Sequence, residues 1–294
     1  MQEIDLDITR LTQVLGGKLG GNVSNVSAAA LGESSRETPW RLDFKLANVG
    51  QTALLRYGKG CSRNEVLALQ AVANLAIPAP KVLIWDEDGS ALGTPLFVSE
   101  FVEGESLLAP MKEGEDWAID LYIETACTVQ AIRSEDLLEG VATKLEVGES
   151  AADVLAEAYK TFVDKDSLIE TAYRKLVDMQ PDLPDTQFSN GDLWPDNLLV
   201  RDRELVGIID WQHAGFSDPL FEFLLPFFLV PELRGLGIEE RFCIRKGFDP
   251  RALYWYHGLE FFDSLRWVLK TGKPYEMHTE ESLRADLERW ATGS

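Results

Sequence analysis

The segment FSNGDLWPDNLLV, residues 188–200, sets two carboxylates and two amides between apolar flanks: Asp192, Asp196, Asn190 and Asn197. Four residues separate Asp192 from Asn197, and Asp210 ends the apolar run GIID thirteen positions further on. A loop with this spacing serves two different atoms. The carboxylate can orient or deprotonate an acceptor hydroxyl, and the amide oxygen can ligate a metal. An aspartate closing the next strand adds a charged, hard oxygen donor of the kind Mg²⁺ prefers. With a cover for the phosphates, these are the parts that phosphoryl transfer from a nucleotide needs. The stretch GGNVSN, residues 20–25, offers such a cover, although a plain hairpin turn has the same composition.

The elements that must position these groups fall into two blocks. In the first hundred residues, VSNVSAAAL, PWRLDFKL and QTALLRYG read as strands, with ANVG as a turn between the last two. CSRNEVLALQAVANL has helical spacing at Val66, Leu69, Val72 and Ala73, with Ser62 as its N-cap, and Pro78 and Pro80 stop it. KVLIW, the turn DEDGS and TPLFVSEFV form a hairpin. From about residue 115 the pattern is helical. Acids lead EDWAIDLYIETACTVQAI, residues 150–179 form a further helical stretch, ELVGIID is a short strand, and a helical tail runs from 219. In that tail Asp249-Pro250 is a helix-start signal. The block boundary lies near EGESL, giving a nucleotide-binding block 1–102 and a helical block 103–294 that carries the loop and the acceptor site.

Composition narrows the function classes. At 294 residues and 45% hydrophobic, the chain has material for a sizeable core. A net charge of −21 repels nucleic acid and suits a cationic small molecule. The longest apolar run, Leu220 to Val230, is broken by Glu222 and Pro226 and falls short of a membrane span. MQEIDLDITR lacks the order of a secretory signal, and Cys61, Cys127 and Cys243 are odd in number, far apart and fit no metal spacing. The expectation is a soluble, cytoplasmic protein with no membrane or nucleic-acid partner; its oligomeric state stays open.

NGDLWPDNLLV followed by GIIDWQHAGFSDPLFEF resembles the aminoglycoside phosphotransferase/choline kinase family. That family's pattern is His-Gly-Asp, four residues, Asn, then a strand ending in Ile-Asp-Trp or Ile-Asp-Phe. LGGNVSNV, ALLRYG, RNEVLALQAV, IPAPKVL and PLFVSEFVEGESL follow the family's first-lobe order, so the resemblance spans roughly residues 10–225. It implies an α+β, protein-kinase-like two-lobe fold, with a small strand-rich lobe holding one main helix and a larger, mostly helical lobe. It implies ATP or GTP with Mg²⁺ as cofactors, and a small-molecule hydroxyl as acceptor, with an aminoglycoside or amino alcohol leading. By position, Asp192 is the catalytic base and Asn197 and Asp210 hold the metal. Arg56 meets the phosphates and Glu65 orients it. Gly21, Ser24 and Asn25 cover the phosphates, and Ser99, Glu100, Phe101 and Val102 meet the purine edge.

Two positions depart from the family. Asn190 replaces the histidine before Gly-Asp; an amide both donates and accepts, so it can brace the loop in its place. Arg56 replaces lysine, keeping the charge with a fork that grips phosphate differently. These departures define the alternative, a catalytically weak or inactive nucleotide-binding module of the pseudokinase type. Asp218, Glu222, Glu260 and Asp263 are candidates to hold a cationic acceptor, although Asp218 and Glu222 equally suit bracing the helix after the metal strand. His213, His257 and His278 have no spacing partners and receive no role.

Overall fold

The structure, a computed structural model, describes residues 6–31, 39–162 and 164–293. In chain order its elements begin with α1 (Ile8–Leu19), β1 (Val23–Ala30), β2 (Trp40–Leu46), β3 (Val49–Tyr57), α2 (Arg63–Val72), β4 (Val82–Asp86), β5 (Leu96–Glu100) and β6 (Glu105–Ser106). Next come α3 (Leu108–Lys112), α4 (Asp116–Gln130), β7 (Glu146–Val147), α5 (Ala151–Thr161), α6 (Ser167–Asp178), β8 (Gln187–Ser189), β9 (Leu198–Arg201), β10 (Glu204–Ile208) and β11 (Gly215–Ser217). The remainder is α7 (Pro219–Leu229), α8 (Ile238–Lys246), α9 (Ala252–Thr271) and α10 (Glu280–Thr292). Contacts divide the chain into two compact units. One comprises Met1–Ser106, Ser134–Leu145 and Asn197–Ala214; the other comprises Leu107–Arg133, Glu146–Asp196 and Gly215–Ser294.

The first unit is built on an antiparallel sheet ordered β1-β2-β3-β5-β4. Alternate residues of β2 and β3, among them Leu42, Phe44, Ala53 and Leu55, point to one face and are buried there with Leu96 and Val98 of β5. Helix α1 covers that face with Leu11 and Leu15, four apart on one side of the helix. Asp7 caps α1 by accepting from Arg10 N–H at 2.9 Å, and Gly20 ends it with φ +71°. The sequence pattern implies one main helix in this block. It hides α1 because Gly16 and Gly17, helix-weakening residues, interrupt the apolar spacing. The turn joining β2 to β3 is as expected, with Ala47 and Asn48 at φ +49° and +68°.

The first unit departs from a contiguous block for a physical reason. β9 and β10 form a hairpin through Asp202 and Arg203, both left-handed, and β9 pairs with β6 at Ser106↔Leu199 and Glu105↔Val200. Those ladder bonds attach the Asn197–Ala214 segment to the strands that precede residue 107, a pairing that chain position does not reveal.

The second unit is helical around a small sheet ordered β7-β11-β8. The stretch expected as one helical run over 150–179 is two helices, α5 and α6, each opened by its own side-chain cap, Ser150 and Asp166. Its core is aromatic. Phe223 of α7 stacks on Phe242 of α8 with ring centres 3.6 Å apart and meets Tyr122 of α4 at 5.1 Å. Asp249 and Pro250 form the turn just before α9, which starts at Ala252.

Candidate active site

In the first unit, Arg56 is on β3, paired across the ladder with Phe97, so its side chain leaves the sheet on the face opposite Leu55. There its Nε lies 3.0 Å from Glu65 Oε2 of α2. The pair is almost wholly enclosed, with the two side chains 11% and 5% exposed. Ser62 positions Glu65 by capping α2, accepting the Glu65 N–H at 3.2 Å. Glu65 also takes the backbone N–H of Trp211, and the Arg56 guanidinium lies 3.7 Å from Asp210 Oδ1. Arg56, Glu65 and Asp210 are thus gathered at one place. Burial pushes the Glu65 carboxyl up to about 7, the Arg56 charge pulls it down, and the Asp210 charge adds to the rise.

Asp210 has φ +57°, a left-handed conformation that a non-glycine residue keeps only where its surroundings impose it. Those surroundings are specific. Trp211 is fully buried and donates its indole N–H to Ile208 O at 2.7 Å, and Asn64 of α2 donates to Gln212 O and Ala214 O at 3.1 and 2.8 Å. Ile209 N–H donates to Asn197 O at 2.9 Å, so the residue before Asp210 is tied to the backbone of Asn197. One carboxylate and one amide oxygen make an incomplete set of hard donors. It suits a Mg²⁺ whose other ligands are water and phosphate. Among the described residues no group of three or more His, Cys, Asp or Glu could cage a metal without such help.

A cavity of about 310 Å³ opens on this cluster. Arg56, Glu65 and Asp210 form its polar part, and Ser99, Glu100, Phe101 and Val102 its edge. Leu54, Leu69, Pro80, Leu199, Ile209 and Trp211 add walls that motif spacing does not single out. Hydrophobic spacing marks such residues as core but does not tell a cavity wall from packed interior. Gly207 is fitted to this edge, since a Cβ there would come 2.6 Å from Val102 Cγ1. Gly21, Ser24 and Asn25 do not line it. Gly21 lies between α1 and β1, Ser24 pairs with Lys45 inside the sheet, and Asn25 sits in a bulge of β1 at φ +55°. The residues flanking β1 and β2 that do border the cavity are Leu31 and Pro39.

In the second unit, the loop after β8 carries Asp192, partly buried. Gly191 turns the chain with φ +76°. Asn190 is fully buried and donates its amide to the Asp192 carbonyl at 3.1 Å, which is the brace expected of a residue replacing histidine. Tyr122 donates to Leu193 O at 2.8 Å. The four acidic candidates have different surroundings. Asp218 caps α7, accepting Leu220 and Phe221 N–H at 3.0 and 2.9 Å and the Tyr256 hydroxyl at 2.9 Å. Glu222 accepts the hydroxyls of Ser189 and Ser217. Both are engaged in bracing, the alternative role the sequence left open for them. Asp263 is paired with Arg266 at 2.8 Å. Glu260 is buried, has no hydrogen-bond donor among the described residues, and lines a cavity of about 320 Å³ walled by Phe227, Phe228, Phe261 and His278. Burial, with help from Asp263, pushes its carboxyl up to about 8.

An antiparallel sheet with an enclosed cation–carboxylate pair, an aspartate after the next hairpin and a polar Asp-bearing loop define the protein-kinase-like class. The model of the phosphotransferase enzyme family matches residues 60–256, more than half of the chain, and the chain belongs to that family. Among solved structures it is similar to a candidate aminoglycoside phosphotransferase of Ralstonia eutropha JMP134, with TM-score 0.72, 16% identity and 98% of each chain covered. It is similar also to a thermostable mutant of aminoglycoside phosphotransferase APH(4)-Ia in ternary complex with ADP and hygromycin B. There the TM-score is 0.62 and the identity 17%, over 97% of this chain and 98% of that one. Choline kinase LicA of Streptococcus pneumoniae matches with TM-score 0.58 and 15% identity, over 97% of this chain and 99% of that one. At these identities the likeness carries the fold, and the α+β kinase-like expectation is borne out.

Curated relatives are Acyl-CoA dehydrogenase family members 10 and 11 of Mus musculus. They are 29% identical over 63% of this chain and 24% identical over 66%. The chain spans 20% and 29% of their respective lengths. Among the described residues no helix is long and apolar enough to cross a membrane.

Proposed function

We propose that this chain transfers the terminal phosphoryl group of ATP or GTP to a hydroxyl of a small molecule. The observation that carries the proposal is the enclosed Arg56–Glu65 pair beside Asp210, within a cavity edged by Ser99–Val102. In this reading Ser99–Val102 meet the base, Arg56 neutralises phosphate charge and Glu65 holds Arg56 in place. Asn197 and Asp210 would hold Mg²⁺, which when bound neutralises charge on the phosphate oxygens. Asp192 accepts the proton of the acceptor hydroxyl, its loop fixed by Asn190. Gly21, Ser24 and Asn25, at the turn into β1 and in its first residues, would cover the phosphates.

The acceptor in this proposal carries a cationic group, as an aminoglycoside or amino alcohol does. Glu260 supports that choice, being a buried carboxyl with no hydrogen-bond donor among the described residues, in a cavity lined by aromatic rings together with Arg234, Glu239 and Asp286. The curated relatives are named as acyl-CoA dehydrogenase family members, so acyl thioesters that carry a hydroxyl belong among the acceptors to test. The three cysteines are free thiols, in keeping with a reduced, cytoplasmic setting. The pseudokinase-type alternative fits less well, because the base and both metal-ligand positions are all retained.

The test is ADP or GDP release with Mg²⁺ across amines, amino alcohols, sugars and hydroxyacyl thioesters. The proposal expects acceptor-dependent release, and expects Asp210→Ala to lose Mg²⁺-dependent nucleotide binding. Tight Mg²⁺–nucleotide binding with no release above background for any acceptor would establish the non-catalytic module instead.

A further inference from the structure

The backbone on each side of Asp192 is tied to one carboxyl in the first turn of α7. β8 and β11 are antiparallel neighbours with Ser189 opposite Gly215, so Ser189 and Ser217 share a face of that small sheet. Both hydroxyls donate to Glu222. Ser189 reaches Oε1, and Ser217 reaches Oε2 at 2.6 Å. Ser189 Oγ in turn accepts the Gly191 N–H at 3.2 Å, and Glu222 also accepts the backbone N–H of Leu193. The amide before Asp192 is therefore held through one hydroxyl, and the amide after it is held directly. The Asp192 charge is close enough to oppose ionisation of Glu222, as burial does.

The elements around Glu222 keep it where it is. Asp218 caps α7 and Pro219 occupies the first helical position, where its missing N–H costs nothing. Tyr256 of α9 secures Asp218 from behind. Three donors converge on one acceptor-only group. An amide in its place has a single acceptor oxygen and must turn its NH₂ toward a hydroxyl.

We infer that Glu222 is a positioning residue for Asp192, its carboxylate fixing the two backbone amides that flank the base. The inference rests on the proposed function only for the statement that Asp192 is the base. Of the two roles the sequence left open for Glu222, holding the acceptor or bracing, it takes the second, since both its oxygens are occupied from within the protein.

Two measurements on the full chain test it. In the first, amide hydrogen exchange is followed by NMR in wild type, Glu222→Gln and Ser189→Ala. Exchange at Gly191 and Leu193 rises tenfold or more in E222Q, and at Gly191 alone in S189A. The Asp218-capped amides of Leu220 and Phe221 keep wild-type rates in both. Wild-type protection of Gly191 in S189A, a milder change that spares the fold, overturns the inference even if E222Q is unstable. In the second, single-turnover hydrolysis of Mg²⁺–ATP is compared in Asp192→Asn, E222Q and the double variant. A misplaced base costs on the order of 10²-fold in rate, with the KM for nucleotide unchanged. If Glu222 acts through Asp192, the double variant is no slower than D192N. Additive losses overturn the inference. D192N hydrolysing at the wild-type rate removes Asp192 as base, while the exchange result still decides whether Glu222 fixes the loop.

Discussion

Replacing Glu65 with glutamine separates what the buried carboxyl costs the fold from what it does for Arg56. In the folded protein burial raises this group from 4.5 to about 7 despite its contact with Arg56. Because the folded value lies above the unfolded one, the related stability is fully present below about pH 4.5 and is lost as pH rises through 7. At roughly 1.4 kcal/mol per pKa unit the loss approaches about 3 kcal/mol by pH 8. Glutamine has nearly the shape of the protonated acid and cannot ionise. Urea denaturation of wild type and Glu65→Gln at pH 5, 6, 7 and 8 therefore isolates the group from every other titration in the chain. The difference should be small at pH 5 and grow with pH, so that E65Q becomes the more stable protein by about 2–3 kcal/mol at pH 8. Its nucleotide affinity should fall at the same pH, because Arg56 has lost the carboxylate that aims it. A stability difference that stays flat with pH, or wild type gaining on E65Q, would show that the pull of Arg56 outweighs burial at this carboxyl.

Other perturbations have equally definite outcomes. Glu260→Gln should remove a loss of stability between about pH 5 and pH 8, visible as a Tm difference from wild type that grows with pH. Gly207→Ala should displace Val102 from the cavity edge and weaken nucleotide binding roughly tenfold by calorimetry, with a stability cost of about 1–3 kcal/mol for the overpacked contact. Asn190→Ala should cost about 1–2 kcal/mol in denaturation, the range for losing a buried hydrogen bond. It should also slow phosphoryl transfer more than it changes the KM for nucleotide.

The places of the candidate residues in the fold were legible because motif spacing maps onto local geometry. Asp192, Asn197 and Asp210 lie in short, turn-bounded segments, and Arg56 and Glu65 follow from a strand and a capped helix. What failed to show depends on contacts between distant segments. Asn64 reaching Gln212 and Ala214, or β9 pairing with β6, leaves no periodic trace in either partner. GGNVSN did not disclose its local form, because glycine and small polar residues mark any tight turn; here Gly20 ends α1 and Asn25 sits in a strand bulge. For the acidic residues after Asp210 two roles stayed open in the sequence, since composition cannot tell a solvent-facing carboxylate from one capping a helix, as Asp218 does.

The most direct test of the proposed function compares wild type with Asp192→Ala by two readings on one preparation, Mg²⁺–nucleotide affinity and the rate of transfer to an accepted hydroxyl. Affinity should stay within a few-fold while transfer falls by about 10² to 10⁴, the range for losing a positioned base. Transfer at the wild-type rate in the variant would contradict Asp192 as the residue that takes the proton.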